Sequence, residues 1–334
     1  MADYGLRLQG FRAGVDKNQK IQRIGEERMK RYAMLLGMSL CLMVLLCGCQ
    51  KKYYNKGLPF EMSTSELPGY RNGTILALSA DNYERFMHAS YIRVVDKYGN
   101  LHKVKISAEI GRHEWDFSNL TTDGMIKNYV DADGSTKKIG IDVSEYQGVI
   151  NWEKVAGVVD FAMIRLGYRG YGGGGLVVDA YYTANMTGAA ANGVPVGVYF
   201  YSQAVSYEEG VEEANFVLSH LGDYALSYPI VLDREDPMQE DARTNDLSKE
   251  EHTQAALGFL ETIQAAGYEV MTYTNRNYYA LYLDLERIYQ YPVWFAQYAD
   301  EPDWPYEFSI WQYTENGEIP GISGTVDLNL QMMP

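Results

Sequence analysis

The chain has 334 residues, of which 46% are hydrophobic, 13% aromatic and 22% charged. These proportions exclude a disordered, collagenous or multi-span membrane protein, and the length predicts about two domains at ~150 residues each. Charge is unevenly distributed, because residues 139–334 carry 8 Lys and Arg against 29 Asp and Glu, a net charge of −21. A segment this acidic lacks the basic clusters that bind phosphate groups, so we expect no nucleic-acid partner.

The N-terminal segment has the features of an export signal. Lys30 and Arg31 precede a near-continuous apolar run over 33–48, which is shorter than the ~20 apolar residues of a membrane span. Signals of this kind stand at the start of a chain, and the codons of Gly25–Arg28 would be almost entirely purine, as in a ribosome-binding site. We therefore expect translation to start at Met29, so that the residues before it reflect a mis-assigned start.

All three cysteines, Cys41, Cys47 and Cys49, lie in this signal, which leaves no disulfide framework and no cysteine zinc site for the rest of the chain. Leu46–Cys49 resembles the bacterial lipobox, which implies cleavage before Cys49 and lipid attachment to its sulfur. The segment 1–49 therefore predicts an extracytoplasmic lipoprotein held at the membrane by its N-terminal lipid. An uncleaved N-terminal membrane anchor is the alternative.

Residues 50–137 contain little that specifies chemistry. The first part, 50–72, has lysines and prolines without periodicity and is predicted to be a tether. Tyr91–Val95 and Leu101–Ile106 alternate in polarity around a Gly/Asn turn, which predicts a β-hairpin. We expect 73–137 to form a small β-rich module of unknown role.

From residue 138 onward, short apolar strands alternate with helical segments, which is typical of a parallel α/β sheet. Helical spacing predicts helices over 179–191, 207–221, 247–266 and 277–288, and the later strands follow one another too closely for full helices. Eight strands over ~195 residues predict a TIM-like barrel that lacks its last helices, because a complete one takes ~250 residues. The predicted strands are Ile139–Val143, Phe161–Leu166, Val196–Tyr201, Ile230–Leu232, Val270–Tyr273, Val293–Ala296, Ser309–Trp311 and Val326–Leu328.

Acidic residues lie at three of the predicted strands, namely Asp142 at the first, Asp233 and Glu235 at the fourth and Asp327 at the eighth. Catalytic groups of such barrels stand at the C-terminal ends of the strands. Charges at the buried end of an apolar strand are costly unless they serve a purpose. One acid could pair with an arginine for structural reasons, but four converging acids favour a functional cluster over an ion-pair network.

Several short motifs surround these acids. In chain order they are Gly140–Ser144 with Gln147, Gly148 and Trp152; Ala162–Arg165; Asp179–Asn185 with Gly193–Tyr201; Pro229–Glu235; Trp294–Tyr298; and Ile310–Tyr313 with Gly317, Gly321 and Val326–Asp327. At these positions the chain resembles the family 25 glycoside hydrolases, the N,O-diacetylmuramidases or lysozymes that cut bacterial peptidoglycan. The resemblance covers 138–334 and does not extend to 50–137.

The resemblance implies a (β/α)5(β)3 barrel that hydrolyses the β-1,4 bond from N-acetylmuramic acid to N-acetylglucosamine in the glycan strands. Matched to the family motif, Glu235 would be the general acid, and Asp233 would orient the 2-acetamido group or position water. Asp142 and Asp327 would hold the hydrogen bonds and charge of the pocket. The i, i+2 spacing of Asp233 and Glu235 places them on one face of an extended strand with Cα atoms ~6.6–7 Å apart, a spacing compatible with both inversion and substrate-assisted retention.

Aromatic side chains at the barrel mouth are candidates for stacking on sugar faces. We expect Tyr199, Tyr201, Trp294 and Trp311 to line the groove, and Gln297 of the matching motif to contact substrate.

No cofactor or metal is expected in the barrel. Its two histidines, His220 and His252, fall in predicted helices away from the carboxylate motifs, whereas a zinc enzyme needs its ligands together. This placement also disfavours a metal-dependent esterase. The remaining alternative is a non-catalytic peptidoglycan-binding lipoprotein that uses the same groove. In either case we expect a monomer.

Overall fold

The computed structural model describes residues 70–71, 74–75 and 90–333. The predicted export signal with Cys49, and all of the predicted tether except its last described pair, lie outside these residues. Contacts within the chain define two units, Met1–Ser90 and Tyr91–Pro334. In the first unit, β1 (Tyr70–Arg71) pairs antiparallel with β2 (Thr74–Ile75). None of the helices in the described part is long and apolar enough to cross a membrane.

The second unit begins with two antiparallel hairpins. In the first, β3 (Tyr91–Val95) pairs with β4 (Leu101–Lys105), which confirms the predicted hairpin. Gly99 has a φ of +83° in its turn, a conformation that favours glycine. The second hairpin joins β5 (Leu120–Asp123) to β6 (Ile126–Tyr129).

Eight strands then close into a barrel, with one short strand added at its edge. Each barrel strand is hydrogen-bonded to two other barrel strands, and pairing of the third with the second closes the ring. The order of the strands confirms the barrel predicted from the sequence. They are β7 (Ile139–Val143), β8 (Phe161–Arg169), the added β9 (Leu176–Val178), β10 (Val196–Tyr201), β11 (Ile230–Asp233), β12 (Val270–Asn275), β13 (Val293–Ala296), β14 (Ile310–Gly317) and β15 (Val326–Gln331).

Helices cover the outside of the first five barrel strands. The residues between β13 and β14 and between β14 and β15, all of which the structure describes, contain no helix. The architecture is therefore the expected (β/α)5(β)3, although the helix predicted over 277–288 is divided in two. The helices are α1 (Trp152–Val155), α2 (Tyr182–Ala191), α3 (Tyr207–His220), α4 (Lys249–Ala265), α5 (Arg276–Tyr282) and α6 (Leu285–Ile288).

The direction of the last strand differs from the expected parallel sheet. β15 runs antiparallel to both β14 and β7, whereas the other barrel strands pair parallel to one another. The short connection over 318–325 explains this, because a parallel crossover needs a dozen or more residues. Asp327 lies near the start of β15, and the reversal brings it to the end of the barrel where β7 finishes, directly opposite Asp142.

One end of the barrel interior is filled by apolar side chains. Phe161 and Met163 of β8 belong to a buried cluster there that also contains Val231 and Ile310. The Phe161 ring is so close to the backbone of β7 that a Cβ at Gly140 would collide with it. This packing closes that end and leaves the opposite end of the barrel for a site.

Residues 91–137 of the predicted 73–137 module pack on the outside of the barrel. The Trp115 ring lies 4.6 Å from that of Phe308, and the Ser107 backbone N–H donates to the Tyr306 hydroxyl at 2.7 Å. Residues 91–137 therefore belong to the same contact unit as the barrel. A separate domain ending at 137 stays a prediction.

Candidate active site

The four acids predicted from the sequence line one cavity of about 610 Å³ at the end of the barrel where the parallel strands finish, together with Glu145 and Glu315. Asp142 lies on β7, Asp233 is the last residue of β11 and Asp327 lies on β15. Glu235 lies in the loop that follows β11, whereas the sequence predicted it on the strand itself. The structure thus brings together all four acids singled out in the sequence.

Arg234, between two of these acids, points away from the cavity. It is 1% exposed, and its guanidinium donates to the Ser202 hydroxyl at 3.1 Å and to the Ala204 carbonyl at 2.8 Å. It therefore fixes the backbone of the acidic motif from behind.

Asp142 is held by two side-chain amides. Its Oδ2 accepts hydrogen bonds from Gln312 Nε2 at 2.9 Å and from Asn329 Nδ2 at 2.8 Å. The side-chain oxygen of Asn329, Oδ1, in turn accepts a hydrogen bond from Trp294 Nε1 at 2.8 Å. The indole N–H thereby fixes the amide so that its NH₂ group faces the carboxyl group.

Two tyrosines orient the other amide in the same way. The Gln312 side-chain oxygen accepts from the hydroxyl of Tyr273 at 2.8 Å and from that of Tyr298 at 3.1 Å. Its NH₂ group is therefore directed at Asp142, and rotation of that carboxyl group would break a connected network.

The four carboxyl groups hold their protons more tightly than free acids do. Burial, reinforced by the charges of Asp142 and Asp236, raises the pKa of Glu235 to about 7. Burial also raises the pKa of Asp327 to about 9, with Asp142 beside it adding to the shift. The pKa of Asp233 is raised well above its ordinary value by burial and by the charges of Glu235 and Asp142. Burial raises the pKa of Asp142 too, against the effect of its amide donors.

Asp233 has an acceptor that the protein leaves unused. The residue is 5% exposed, and its Oδ1 has no hydrogen-bond partner among the described residues. A buried acceptor without a donor is costly. Because Asp233 lines the cavity, a donor on a bound molecule would remove that cost.

The structure places three of the five predicted substrate-binding residues in the cavity: Tyr199, Tyr201 and Trp294. Trp311 is not among its lining residues. It is fully buried on the outer side of β14, where its Nε1 donates to the Gln297 carbonyl at 2.9 Å. Side chains alternate along a strand, so the inward position of Gln312 directs Trp311 outward.

Gln297 also lies outside the cavity lining. Its side-chain amide is paired with Asp303 through two hydrogen bonds, of 2.6 Å from Nε2 and 3.0 Å to Oε1. These bonds close the loop after β13 and direct the amide away from the acids.

Several residues that line or support the cavity were not selected from the sequence. Gln312 and Asn329 orient Asp142, and Tyr146, Arg165 and Tyr168 form one wall of the cavity. Gln312 lies within the motif Ile310–Tyr313, but that motif does not show which of its residues face inward. Tyr146 lies within the motif Gly140–Ser144 to Gln147 but carries no signal of its own.

A metal centre is not apparent in the described part of the chain, where no group of three or more His, Cys, Asp or Glu side chains could hold an ion. His252 is instead enclosed by Tyr278 and Arg234, whose hydroxyl oxygen and Nη2 lie 2.9 and 3.1 Å from its Nδ1. A reaction without metal stays a prediction: chelators should leave the rate of wall lysis unchanged, and inhibition that added Zn²⁺ reverses would contradict it.

Comparison with known proteins connects this geometry to a family. The profile of the Glycosyl hydrolases family 25 matches residues 141–322, which is more than half of the chain. YegX, an uncharacterized protein of Escherichia coli K12, is 28% identical over 199 residues, or 57% of this chain and 68% of that protein. The autolytic lysozyme of Clostridium acetobutylicum is 24% identical over 191 residues, or 57% of this chain and 54% of its own length.

A solved structure has the same fold. The modular autolysin LytC from Streptococcus pneumoniae superposes with a TM-score of 0.55 at 24% identity, over 72% of this chain and 56% of that one. LytC has also been solved in complex with a synthetic peptidoglycan ligand, with the same degree of similarity. The chain spans little more than half of LytC, and at this identity the likeness establishes the fold alone.

Proposed function

The chain belongs to the glycosyl hydrolases of family 25, and on this premise we propose that it cleaves the β-1,4 bond from N-acetylmuramic acid to N-acetylglucosamine. As the sequence predicted, it is a glycoside hydrolase of the lysozyme type that hydrolyses peptidoglycan. The proposed cleavage of this bond is supported above all by the convergence of four carboxyl groups with raised pKa values on one cavity. The similarity to an autolytic lysozyme supports it.

Glu235 acts as the general acid. A pKa of about 7 keeps its carboxyl group largely protonated below neutral pH, which is the state that can protonate the leaving oxygen. Its loop position and partial exposure give it access to a glycosidic bond lying across the cavity. When the bond breaks, the proton of Glu235 moves to the oxygen of the departing N-acetylglucosamine.

Asp233 orients the 2-acetamido group of the muramic acid unit. Its unpartnered Oδ1 is the acceptor that an acetamido N–H requires. The acetamido oxygen then attacks the anomeric carbon as the glycosidic bond breaks, and the hydrogen bond from the acetamido N–H to Asp233 Oδ1 holds the group in place for this attack. This attack closes a five-membered ring between the acetamido group and the anomeric carbon. Water then attacks the anomeric carbon and opens that ring, with Glu235 accepting the proton of the water, and the product retains its anomeric configuration.

Asp142 and Asp327 hold the charge of the pocket. They lie opposite each other on neighbouring antiparallel strands, and their carboxyl groups are hydrogen-bonded to each other. Two carboxyl groups in such contact favour sharing of one proton, because two like charges there would repel. Asp142, fixed by Gln312 and Asn329, presents the remaining charge to Asp233 and Glu235. This negative charge, together with that of Asp236, raises the pKa of the general acid beyond the effect of burial.

The test is digestion of purified peptidoglycan followed by borohydride reduction and analysis of the new reducing ends. We expect N-acetylmuramic acid at those ends and a β-anomer as the first product in NMR. New N-acetylglucosamine ends would assign another bond, and an α-anomer would contradict the role of the acetamido group. Binding without release of sugar would instead support the non-catalytic wall-binding alternative.

We propose that the enzyme acts outside the cytoplasm, held at the membrane through lipid on Cys49. Support comes from the signal-like sequence of 1–49, which lies outside the described residues. Expression from Met29 with radiolabelled palmitate should label the membrane-bound protein, and Cys49→Ser should abolish the label. Equal labelling of the Cys49→Ser protein would contradict lipid attachment at that cysteine.

A further inference from the structure

The first hairpin of the segment 91–137 contacts the loop that carries Glu235. Lys97 lies in the turn between β3 and β4, and its Nζ donates a hydrogen bond to Asn245 Oδ1 at 2.7 Å. Asn245 belongs to the loop between β11 and α4, and this loop begins at Arg234 and Glu235. A segment whose sequence specifies no chemistry of its own is thereby joined to the loop of the general acid.

Asn245 fixes the part of this loop that follows Glu235. Its Nδ2 donates to the carbonyl groups of Gln239 at 2.8 Å and Glu240 at 2.9 Å. Among the described residues, the other hydrogen bonds of 236–240 run within the loop itself. Because the Lys97 ammonium can only donate, it contacts the side-chain oxygen of Asn245 and so directs the NH₂ group at the two carbonyls.

The backbone next to Glu235 needs this support. Met238 is 79% exposed and has a φ of +55°, a left-handed conformation that is costly for a residue other than glycine. The loop is anchored to the barrel only further along, where the Arg243 backbone N–H donates to the Tyr171 carbonyl at 2.9 Å. Asn245 therefore ties the strained half of the loop to the anchored half, and Lys97 holds Asn245 in place.

The turn that carries Lys97 is rigid. The Asp96 carboxylate accepts hydrogen bonds from the backbone N–H groups of Tyr98 at 2.9 Å and Asn100 at 2.8 Å. On β3 below the turn, Val94 is 1% exposed and belongs to the main buried core. The hairpin is therefore preorganised as a support and does not have to be ordered by the loop that it contacts.

The second hairpin contacts the loop after β13 in a similar way. Lys127 of β6 donates through Nζ to the Asp300 carbonyl at 2.9 Å. Asp300 follows Tyr298 by two residues, and the Tyr298 hydroxyl is one of the two that orient the Gln312 amide toward Asp142. Each hairpin thus holds one loop of the active site through one lysine.

We infer that the segment 91–137 is a functional part of the active site, in which Lys97 and Lys127 are positioning residues that hold the loops of Glu235 and Tyr298 for turnover. Both lysines lie outside 141–322, the residues that match the family profile, so the family match does not account for them. A loop held in place keeps the general acid in reach of the leaving oxygen, and a small displacement of such a group lowers the rate. The inference rests on the proposed function, which supplies the roles of Glu235 and Asp142.

The experiment measures kcat and KM of the full chain on soluble, un-cross-linked peptidoglycan strands. Lys97→Ala should lower kcat about 3- to 10-fold and leave KM within about twofold of the parent, because it displaces reacting groups and removes no contact to substrate. Lys97→Arg keeps a charged donor and should stay close to the parent kcat. The melting temperature should change little in either variant, since Lys97 is exposed.

Asn245→Ala tests the other side of the same contact. It should lower kcat as much as Lys97→Ala does, and the double variant should lose no more than the worse single variant, because both changes remove one support. Lys103→Ala is the matched control, because Lys103 is an exposed lysine on β4 of the same hairpin and makes none of the contacts described above. It should retain the parent kcat.

Lys127→Met tests the second hairpin. It keeps the length of the side chain, whose Nζ lies 5.6 Å from the centre of the Trp311 ring, and removes the donor to Asp300. We expect kcat to fall about 2- to 5-fold, and Lys127→Arg to stay close to the parent.

A parent-like kcat in Lys97→Ala, Asn245→Ala or Lys127→Met would overturn the inference while leaving the hydrolase assignment in place. Losses that appear only in KM, that add in the double variant or that Lys103→Ala shares would overturn it as well. A loss of kcat that disappears when the rate is taken per folded molecule would show that the lysine acts on folding alone, which also contradicts the inference. If the parent protein cleaves neither these strands nor intact wall, the proposed function itself fails.

Discussion

The two ends of the barrel interior differ in chemistry although the same strands build both. On β8, β11 and β14, the inward residues Met163, Val231 and Ile310 belong to an apolar cluster. Two residues further along each strand, the inward positions are Arg165, Asp233 and Gln312, which line the cavity. Because side chains on one face of a strand recur every two residues, a single step of the pattern separates a packed layer from a reactive one.

This difference indicates a division of labour between two adjacent layers. Buried carboxyl groups with raised pKa values oppose folding at neutral pH, whereas the apolar layer beneath them contributes burial and dense packing. The stability that the apolar layer contributes therefore offsets the cost of burying the carboxyl groups in the reactive layer. Substitutions in the two layers should have opposite consequences for activity and stability.

The largest effect should come from Glu235→Gln in the reactive layer. It removes the transferable proton and keeps the shape of the side chain, so we expect wall lysis to fall by about 100- to 10,000-fold. The melting temperature should be unchanged or higher, since a buried acid is replaced by a neutral amide. Dye release from labelled peptidoglycan and a thermal melt measure the two quantities.

Glu318→Gln is the matched control, because Glu318 is exposed and does not line the cavity. It should retain the parent activity. If Glu235→Gln keeps more than a tenth of the parent rate, Glu235 is not the general acid.

In the apolar layer, Phe161→Ala should act on stability instead. Phe161 is fully buried and stacks on Tyr228 with ring centres 4.6 Å apart, and removal of such a side chain costs about 3–5 kcal/mol. Urea unfolding should show this loss, while the rate per folded molecule at low temperature stays within about threefold of the parent. A larger loss of rate at full folding would show that the two layers are not independent.

The sequence predicted the fold more fully than the site. Apolar runs between turn residues located all eight strands, and the four acids stood out because charge is rare in such runs. The reversal of β15 was less visible, since strand direction depends on connection length, and the brevity of 318–325 was the available signal. The burial of Trp311 could not be predicted, because strands buried on both faces have no polar alternation that distinguishes inside from outside.

That error defines a matched pair of tryptophans. Trp294 and Trp311 are 1% and 0% exposed, but the first donates to Asn329 inside the barrel and the second to the Gln297 carbonyl outside it. Trp294→Phe should release the amide that orients Asp142 and lower kcat about tenfold. Trp311→Phe should cost about 1 kcal/mol of stability and leave kcat unchanged.

Kinetics at saturating substrate and urea unfolding of both variants provide the measurement. The comparison fails if the two variants lose activity equally. It is sharpened if Trp294→Phe also changes the pH dependence of kcat, because reorienting Asp142 alters the charge beside Glu235.

The two layers should also differ in how they make stability depend on pH. Burial, with Asp142 beside it, raises the pKa of Asp327 from an ordinary 3.8 to about 9, so between these values the folded protein holds a proton that the unfolded chain has released. Unfolding therefore releases a proton in this window, and the free energy of unfolding falls as pH rises from about 4 to about 9. Glu235, with a pKa of about 7, adds to the decline over the lower part of the window.

Asp327→Asn cannot titrate, so its melting temperature should decline less between pH 6 and pH 9 than that of the parent, with the largest relative gain near pH 9. Asp123→Asn, which removes an exposed carboxyl group on β5, should give a curve parallel to the parent. If the Asp327→Asn curve is parallel as well, Asp327 is ionised in the folded protein and the reactive layer carries more charge than its burial suggests.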